Sequence, residues 1–496
     1  MIKNFKWLLL VSLTFVACNS EDEPFVDPNS TDGTPLTAGT ADFSKYVSLG
    51  NSLTAGYSDS ALFIAGQEGS YPNILASQFA LVGGGDFTIP YMADNTGGLL
   101  LGGTPIAGTR LYFNGSGPAP VTGPPTTDIT NVLSGPFNNM GVPGAKSYHL
   151  LAPGYGNVAG VLSGQANPYF VRFASSPSTT VLADALAQDP TFFSLWIGNN
   201  DILSYATSGG AGTNQTGNPN PATYGANDIT DPTVFAGVYN TLVDQLTANG
   251  AKGVVANLPY VTTIPYFTTV PHNPVPLDAA TAAQLNAGFA PYNNGLLFAQ
   301  SNGLLSAAEV ARRTITFSAS STNRVVMVDS YLTNLSGFGI PSYRQATSED
   351  LIVLPARSVI GTTVGGNPAQ VNGVSVPLAD NWVLSKEEIQ EVRVATDAYN
   401  ASIESIANAK GLAFVNANVL QSQIAQGGIT ANNFTVTSAY VTGGGFSLDG
   451  VHPSPRGYAL IANEFFRAIN ATYGSNFKGV NIGLYRILYP MDPANF

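Results

Sequence analysis

Five short runs of this chain are apolar almost throughout: Tyr46–Leu49, Phe192–Ile197, Gly253–Asn257, Arg324–Asp329 and Leu412–Asn416. A strand with one face in water alternates polar and apolar residues, so runs apolar on both faces belong in a sheet covered above and below. The cover is written between them, as helical patterns at Tyr71–Leu81, Thr180–Ala187, Val234–Ala248, Lys386–Lys410 and Pro455–Tyr473. In the fourth, Ile389, Val392, Tyr399, Ile403 and Ile406 recur at helical spacing, Ser385 and Glu388 stand at capping-box distance, and Gly411 marks the end. Strands alternating with helices through right-handed crossovers predict an α/β fold. Its centre is a doubly wound, mostly parallel sheet flanked by helices, with working groups at the carboxyl ends of the strands.

Three segments break the alternation, near 83–136, 204–231 and 267–382. They are rich in Gly, Pro, Thr and Asn and read as insertions within one domain spanning 41–496. Loops of that length are rare in compact domains, so each is expected to carry local structure or to cover a site. With 44% hydrophobic and 10% charged residues the chain is globular rather than disordered. The net charge of −12 and the scattering of only 19 Lys and Arg residues exclude nucleic acid as a partner.

The first residues differ from the rest. Lys3 and Lys6 precede an apolar run, Trp7 to Ala17, too short to span a bilayer, so 1–17 reads as a secretion signal. Cys18, the single cysteine, comes immediately after and rules out an internal disulfide; the segment resembles the lipobox of bacterial lipoproteins, in which that cysteine is lipidated. Residues 18–40 are polar and lack apolar periodicity, which predicts a tether reaching on the order of 70 Å. The acidic run Glu21-Asp22-Glu23 also resembles a surface-export signal. The expected location is therefore the bacterial envelope, at the outer membrane or cell surface, with a membrane partner engaged through the N-terminal lipid.

Histidine is scarce, which narrows the chemistry. Of His149, His272 and His452, the second lies in a proline-rich loop and the first on a short helical face where packing accounts for it. His452 has Asp449 three residues before it and Ser454-Pro455, a helix start, just after. An Asp at that spacing can take the imidazole Nδ1–H and leave Nε2 free as a base, or can merely cap the turn. Ser52 sits just past the first apolar run, on the turn Gly50-Asn51-Ser52-Leu53.

These pieces resemble the ordered blocks of the SGNH (GDSL-type) serine esterase family. Gly50–Leu53 is similar to the first block, "NNMGVPGAKS" to the second, "WIGNND" to the third, and Asp449 with His452 to the last. Asn51 stands where the family usually has Asp. The resemblance implies a flavodoxin-like three-layer fold and an ester substrate, with Ser52 as nucleophile, His452 as base and Asp449 as its orienting carboxylate. It also implies an oxyanion hole made by the backbone N–H groups of Ser52 and Gly144 and the side-chain amide of Asn200. No cofactor or metal is implied. Trp196 reads as core, and Leu99, Leu100 and Leu101 as either acyl-site lining or packing. The expected activity is that of an esterase or lipase; a carbohydrate deacetylase of the same mechanism and a non-catalytic glycan- or lipid-binding lipoprotein are the alternatives.

Overall fold

A computed structural model describes residues 35–492. Cys18, the leader and most of the tether lie outside the described residues. The central sheet has five parallel strands: β1 (Tyr46–Gly50), β2 (Asn139–Gly141), β3 (Phe192–Trp196), β4 (Lys252–Ala256) and β5 (Ala413–Val415), in spatial order 2-1-3-4-5. The register is continuous across β1 and β3, Tyr46 facing Phe192 and Gly50 facing Trp196. Four of the five apolar runs thus form the sheet, every residue of β1 and β3 being buried. The order reverses at β1, and the crevice beyond the carboxyl ends of β1 and β3 is where such sheets bind ligands.

The principal helices are α1 (Ser52–Ala55), α2 (Tyr71–Phe79), α3 (Val181–Leu186), α4 (Asn200–Thr207), α5 (Pro232–Thr247), α6 (Ala279–Ser301), α7 (Lys386–Lys410), α8 (Ala417–Gln426) and α9 (Pro455–Tyr473). Helices α2 and α9 cover one face of the sheet, where the Tyr71 ring stacks on Phe465 at 4.6 Å. On the other face lie α3, α5 and α7, joined by Phe235 stacked on Tyr399 at 4.1 Å. Helix α7 keeps the bounds its periodicity predicts, with the reciprocal Ser385–Glu388 capping box and a left-handed Gly411 closing it. At the N-terminal side the Thr37 N–H donates to Asn476 and the Thr40 N–H to the Tyr473 carbonyl, tying the chain to the end of α9.

One sheet expectation needs correction, and one strand was not foreseen. The run Arg324–Asp329 is not part of the parallel sheet: its Val326–Val328 pairs antiparallel with Tyr343–Gln345 inside the 267–382 segment. An all-apolar run reports burial on both faces, and Val325, Val326 and Met327 find it in the main core without joining the parallel sheet. Strand β2 takes the fifth place in the sheet instead. Three residues, Asn-Met-Gly, are too few and too polar to show as a strand in the sequence.

Segment 267–382 holds α6, the short helix Ala307–Arg313 and several two-stranded antiparallel ribbons. Arg344 ties it together, bidentate to Asp350 at 2.6 and 2.7 Å and paired with Asp329. Arg312 carries the network onward from Asp329 to Glu387 in the first turn of α7, both at 2.9 Å. Segment 83–136 forms two small hairpins, and Leu99 packs in a satellite cluster with Ala55, Leu62, Ile129 and Tyr169.

Candidate active site

Strand β1 ends at Gly50 because nothing larger fits. A Cβ there would stand 2.5 Å from the Trp196 carbonyl and 2.1 Å from Thr54 Oγ1. The chain therefore turns hard against β3 and enters α1, whose N-cap is Asn51, its side chain accepting the Leu53 N–H at 3.0 Å and donating to Asn199 Oδ1 at 3.1 Å. Ser52 is the first residue of α1, and a backbone N–H in that position has no acceptor within its helix.

The other arm comes from the turn before α9, some 400 residues later. His452 Nε2 lies 2.9 Å from Ser52 Oγ, and Nδ1 lies 2.9 Å from Asp449 Oδ2. A carboxylate only accepts, so Nδ1 carries the hydrogen and Nε2 is left to accept from the serine hydroxyl. Asp449 is held by more than the histidine. Its Oδ1 accepts from the Ser447 hydroxyl and from the N–H groups of Val451 and His452, and Oδ2 also accepts from the Ser60 N–H, all at 2.8–3.0 Å. Burial alone would raise this carboxyl, but His452 and these donors outweigh it and hold it at about 2. The Tyr57 ring lies against the imidazole, centroids 4.6 Å apart, and limits its swing.

Gly144 lies just beyond β2 with φ of +81°, a conformation that side chains disfavour, and a Cβ there would stand 3.8 Å from Asn167 Nδ2. Asn200 opens α4, just past β3, and its Nδ2 donates to the Ala145 carbonyl at 2.9 Å. Ser147 donates to both oxygens of Asp201 at 2.7 and 2.8 Å. The loop carrying Gly144 and the helix carrying Asn200 are thus locked to each other, and one Asn200 N–H remains beyond the Ala145 bond. The structure brings Ser52, His452 and Asp449 into one hydrogen-bonded row, with Asn200 beside Ser52 on the wall of a shared pocket.

That pocket, about 80 Å³, opens from Ser52 and His452 toward Leu203, Val261, Ile264, Leu420, Ile424 and Phe446. Trp196 is core, as expected, and also forms part of the pocket wall; its indole N–H donates to the Asn257 carbonyl at 3.0 Å. Leu99, Leu100 and Leu101 are not among the lining residues. His149 sits in a 3-10 turn, stacked on Tyr155 at 4.5 Å, and burial pushes it down to about 4. Sequence reasoning missed the supports: Tyr57, Ser60 and Ser447 are ordinary residues of turns, and only their proximity to the two site segments pointed to them.

The profile of the family described as GDSL-like Lipase/Acylhydrolase matches residues 46–465, and the chain belongs to that family. It is a carboxylic-ester hydrolase. No curated protein matches the chain. Two solved structures are similar at a low level. One is a mutant acetyl-xylooligosaccharide esterase from Geobacillus Stearmophilus, 10% identical with a TM-score of 0.31 over 87% of this chain and 96% of that one. The other is an extracellular lipase from Streptomyces rimosus, 11% identical with a TM-score of 0.27 over 86% and 98%.

Proposed function

We propose that the protein cleaves carboxylic esters with an apolar acyl or alcohol part through an acyl-enzyme on Ser52. The observation that carries this reading is the row Asp449–His452–Ser52, two contacts of 2.9 Å, at the mouth of an apolar pocket. His452 Nε2 takes the hydroxyl proton as Ser52 Oγ attacks the ester carbon, and Asp449 stabilises the imidazolium. The tetrahedral oxyanion is met by the N–H groups of Ser52 and Gly144 and the free N–H of Asn200; one such donor contributes about 3–4 kcal/mol to the transition state. The imidazolium returns its proton to the departing alcohol. Water, deprotonated by the same Nε2, then attacks the acyl carbon and frees Ser52.

The apolar side chains around the pocket favour an esterase or lipase over a deacetylase of sugars, whose hydroxyls call for polar partners on the walls. The proposal includes anchoring of the chain to the bacterial envelope by lipid on Cys18, supported by the leader and lipobox-like sequence. Among the described residues no helix is long and apolar enough to cross a membrane.

The test is p-nitrophenol release from acetyl through palmitoyl esters by the full-length protein in detergent, beside Ser52→Ala. Turnover that disappears in the variant supports the reading, and the chain-length profile defines the pocket. Equal turnover in both would end it. For the anchor, the wild type should partition into the detergent phase and Cys18→Ser into the aqueous phase; equal partitioning removes the lipid.

A further inference from the structure

One buried carboxyl beside the site takes no part in proton transfer or oxyanion binding. Asp59 is 1% exposed and lies on the short loop after α1. Its backbone has φ of +51°, and that of Ser60 is +64°, a left-handed pair of non-glycine residues. Such a conformation is disfavoured for residues that carry a side chain and persists where surrounding bonds enforce it.

The Asp59 carbonyl accepts the Leu111 N–H at 2.8 Å, and the remaining bonds run to the turn that carries Asp449. Asp59 Oδ1 accepts the Leu448 N–H at 2.8 Å, and the Asp59 N–H donates to Ser447 Oγ at 3.0 Å. The Ser447 hydroxyl in turn donates to Asp449 Oδ1 at 2.9 Å, and the Ser60 N–H reaches Asp449 Oδ2 at 3.0 Å. Ser58 Oγ donates to the Pro453 carbonyl on the far side of His452. Residues 58–60 therefore grip both ends of the turn 447–453, and Asp59 is the one that holds it with side chain and backbone together. The opposite oxygen, Oδ2, is buried without a hydrogen-bond partner among the described residues.

We propose that Asp59 is a positioning residue for ester cleavage: by fixing Ser447 and Leu448 it sets where Asp449 meets His452, and so where Nε2 meets Ser52. This rests on the assignment of Ser52 as the nucleophile. The neighbouring carboxyls have opposite environments. Burial pushes Asp59 up to about 7, with the Asp449 charge adding to the rise and the Leu448 N–H and Arg110 opposing it. Neutral or ionised, Asp59 offers Oδ1 to the Leu448 N–H, so the acceptor oxygen rather than the charge does the positioning.

The experiment compares kcat and KM of the full-length wild type, Asp59→Asn and Asp59→Ala on one p-nitrophenyl ester, with thermal unfolding of each. Asp59→Asn keeps the acceptor and should stay within about threefold of wild-type kcat, while Asp59→Ala should lose about 30- to 100-fold in kcat with KM within about twofold, the scale expected when a catalytic group is displaced by a fraction of an ångström to an ångström. If Asp59→Ala does not unfold cooperatively, Ser447→Ala cuts the same link from the other side and should show the same kcat-selective loss. Wild-type kcat in the Ala variants, or an equal loss in Asp59→Asn, overturns the proposal while an active wild type leaves the Ser52 reading standing. A wild type without turnover overturns both.

Discussion

The turns at the carboxyl edge of the sheet and the 267–382 insertion solve the same problem, holding irregular backbone in place, by different means. At the edge the fixed points are neutral donors and backbone groups. Asn51 caps α1, Asn200 reaches Ala145, and five donors surround the Asp449 carboxylate. In the insertion the fixed points are ion pairs, with Arg344 between Asp329 and Asp350 and nearly all of it out of water. The difference reflects the work each does. A charge added at the edge would change the proton affinity of His452, whereas the charges of the insertion are paired with one another, Arg344 with Asp329 and Asp350 and Arg312 with Asp329 and Glu387, and serve packing.

This contrast breaks if activity and stability fail to separate. His452→Ala should lower kcat by about 10⁶-fold, the scale seen when the histidine of a triad is lost, with little change in unfolding midpoint. Asp350→Ala should do the reverse. It leaves Arg344 buried with half its counter-charge gone, costing about 3–5 kcal/mol in urea unfolding while kcat of the folded protein stays within about twofold. Asn200→Ala should then cost about 10²- to 10³-fold in kcat, and most of the loss should fall on kcat rather than KM, because the donor is needed for charge that exists only in the transition state.

The smallest effect concerns pH. Asp449 is held at about 2, below its ordinary 3.8, so the folded state releases this proton more readily than the unfolded one. The resulting stability, on the order of 2 kcal/mol, is present in full above about pH 4 and lost as pH falls to 2. Unfolding of wild type and Asp449→Asn measured between pH 6 and 2 should converge at the acid end. A gap that stays constant with pH would mean that Asp449 is not held as an ion.

Much of this was legible in the sequence because the edge turns are built from local rules. Gly50 and Ser52 come directly after a strand, Asp449 and His452 share one turn, and α7 carries both its caps in its own residues. The supports were not legible, since Ser60 and Ser447 acquire meaning only when segments nearly 390 residues apart are brought together. Strand β2 was too short to leave a period, and Val326–Val328 showed burial without showing which layer buries it. The 23-residue α6 was hidden for a related reason: it exposes apolar residues such as Phe298 and carries Pro291, so its face has no clean stripe.

The most direct test of the central claim is to trap the intermediate. Full-length protein mixed with p-nitrophenyl butyrate, quenched in acid within milliseconds and digested, should give one butyryl group on the peptide containing Ser52, and none in His452→Ala. Turnover without that adduct, or with the acyl group on another residue, would contradict the assignment of Ser52 as the nucleophile.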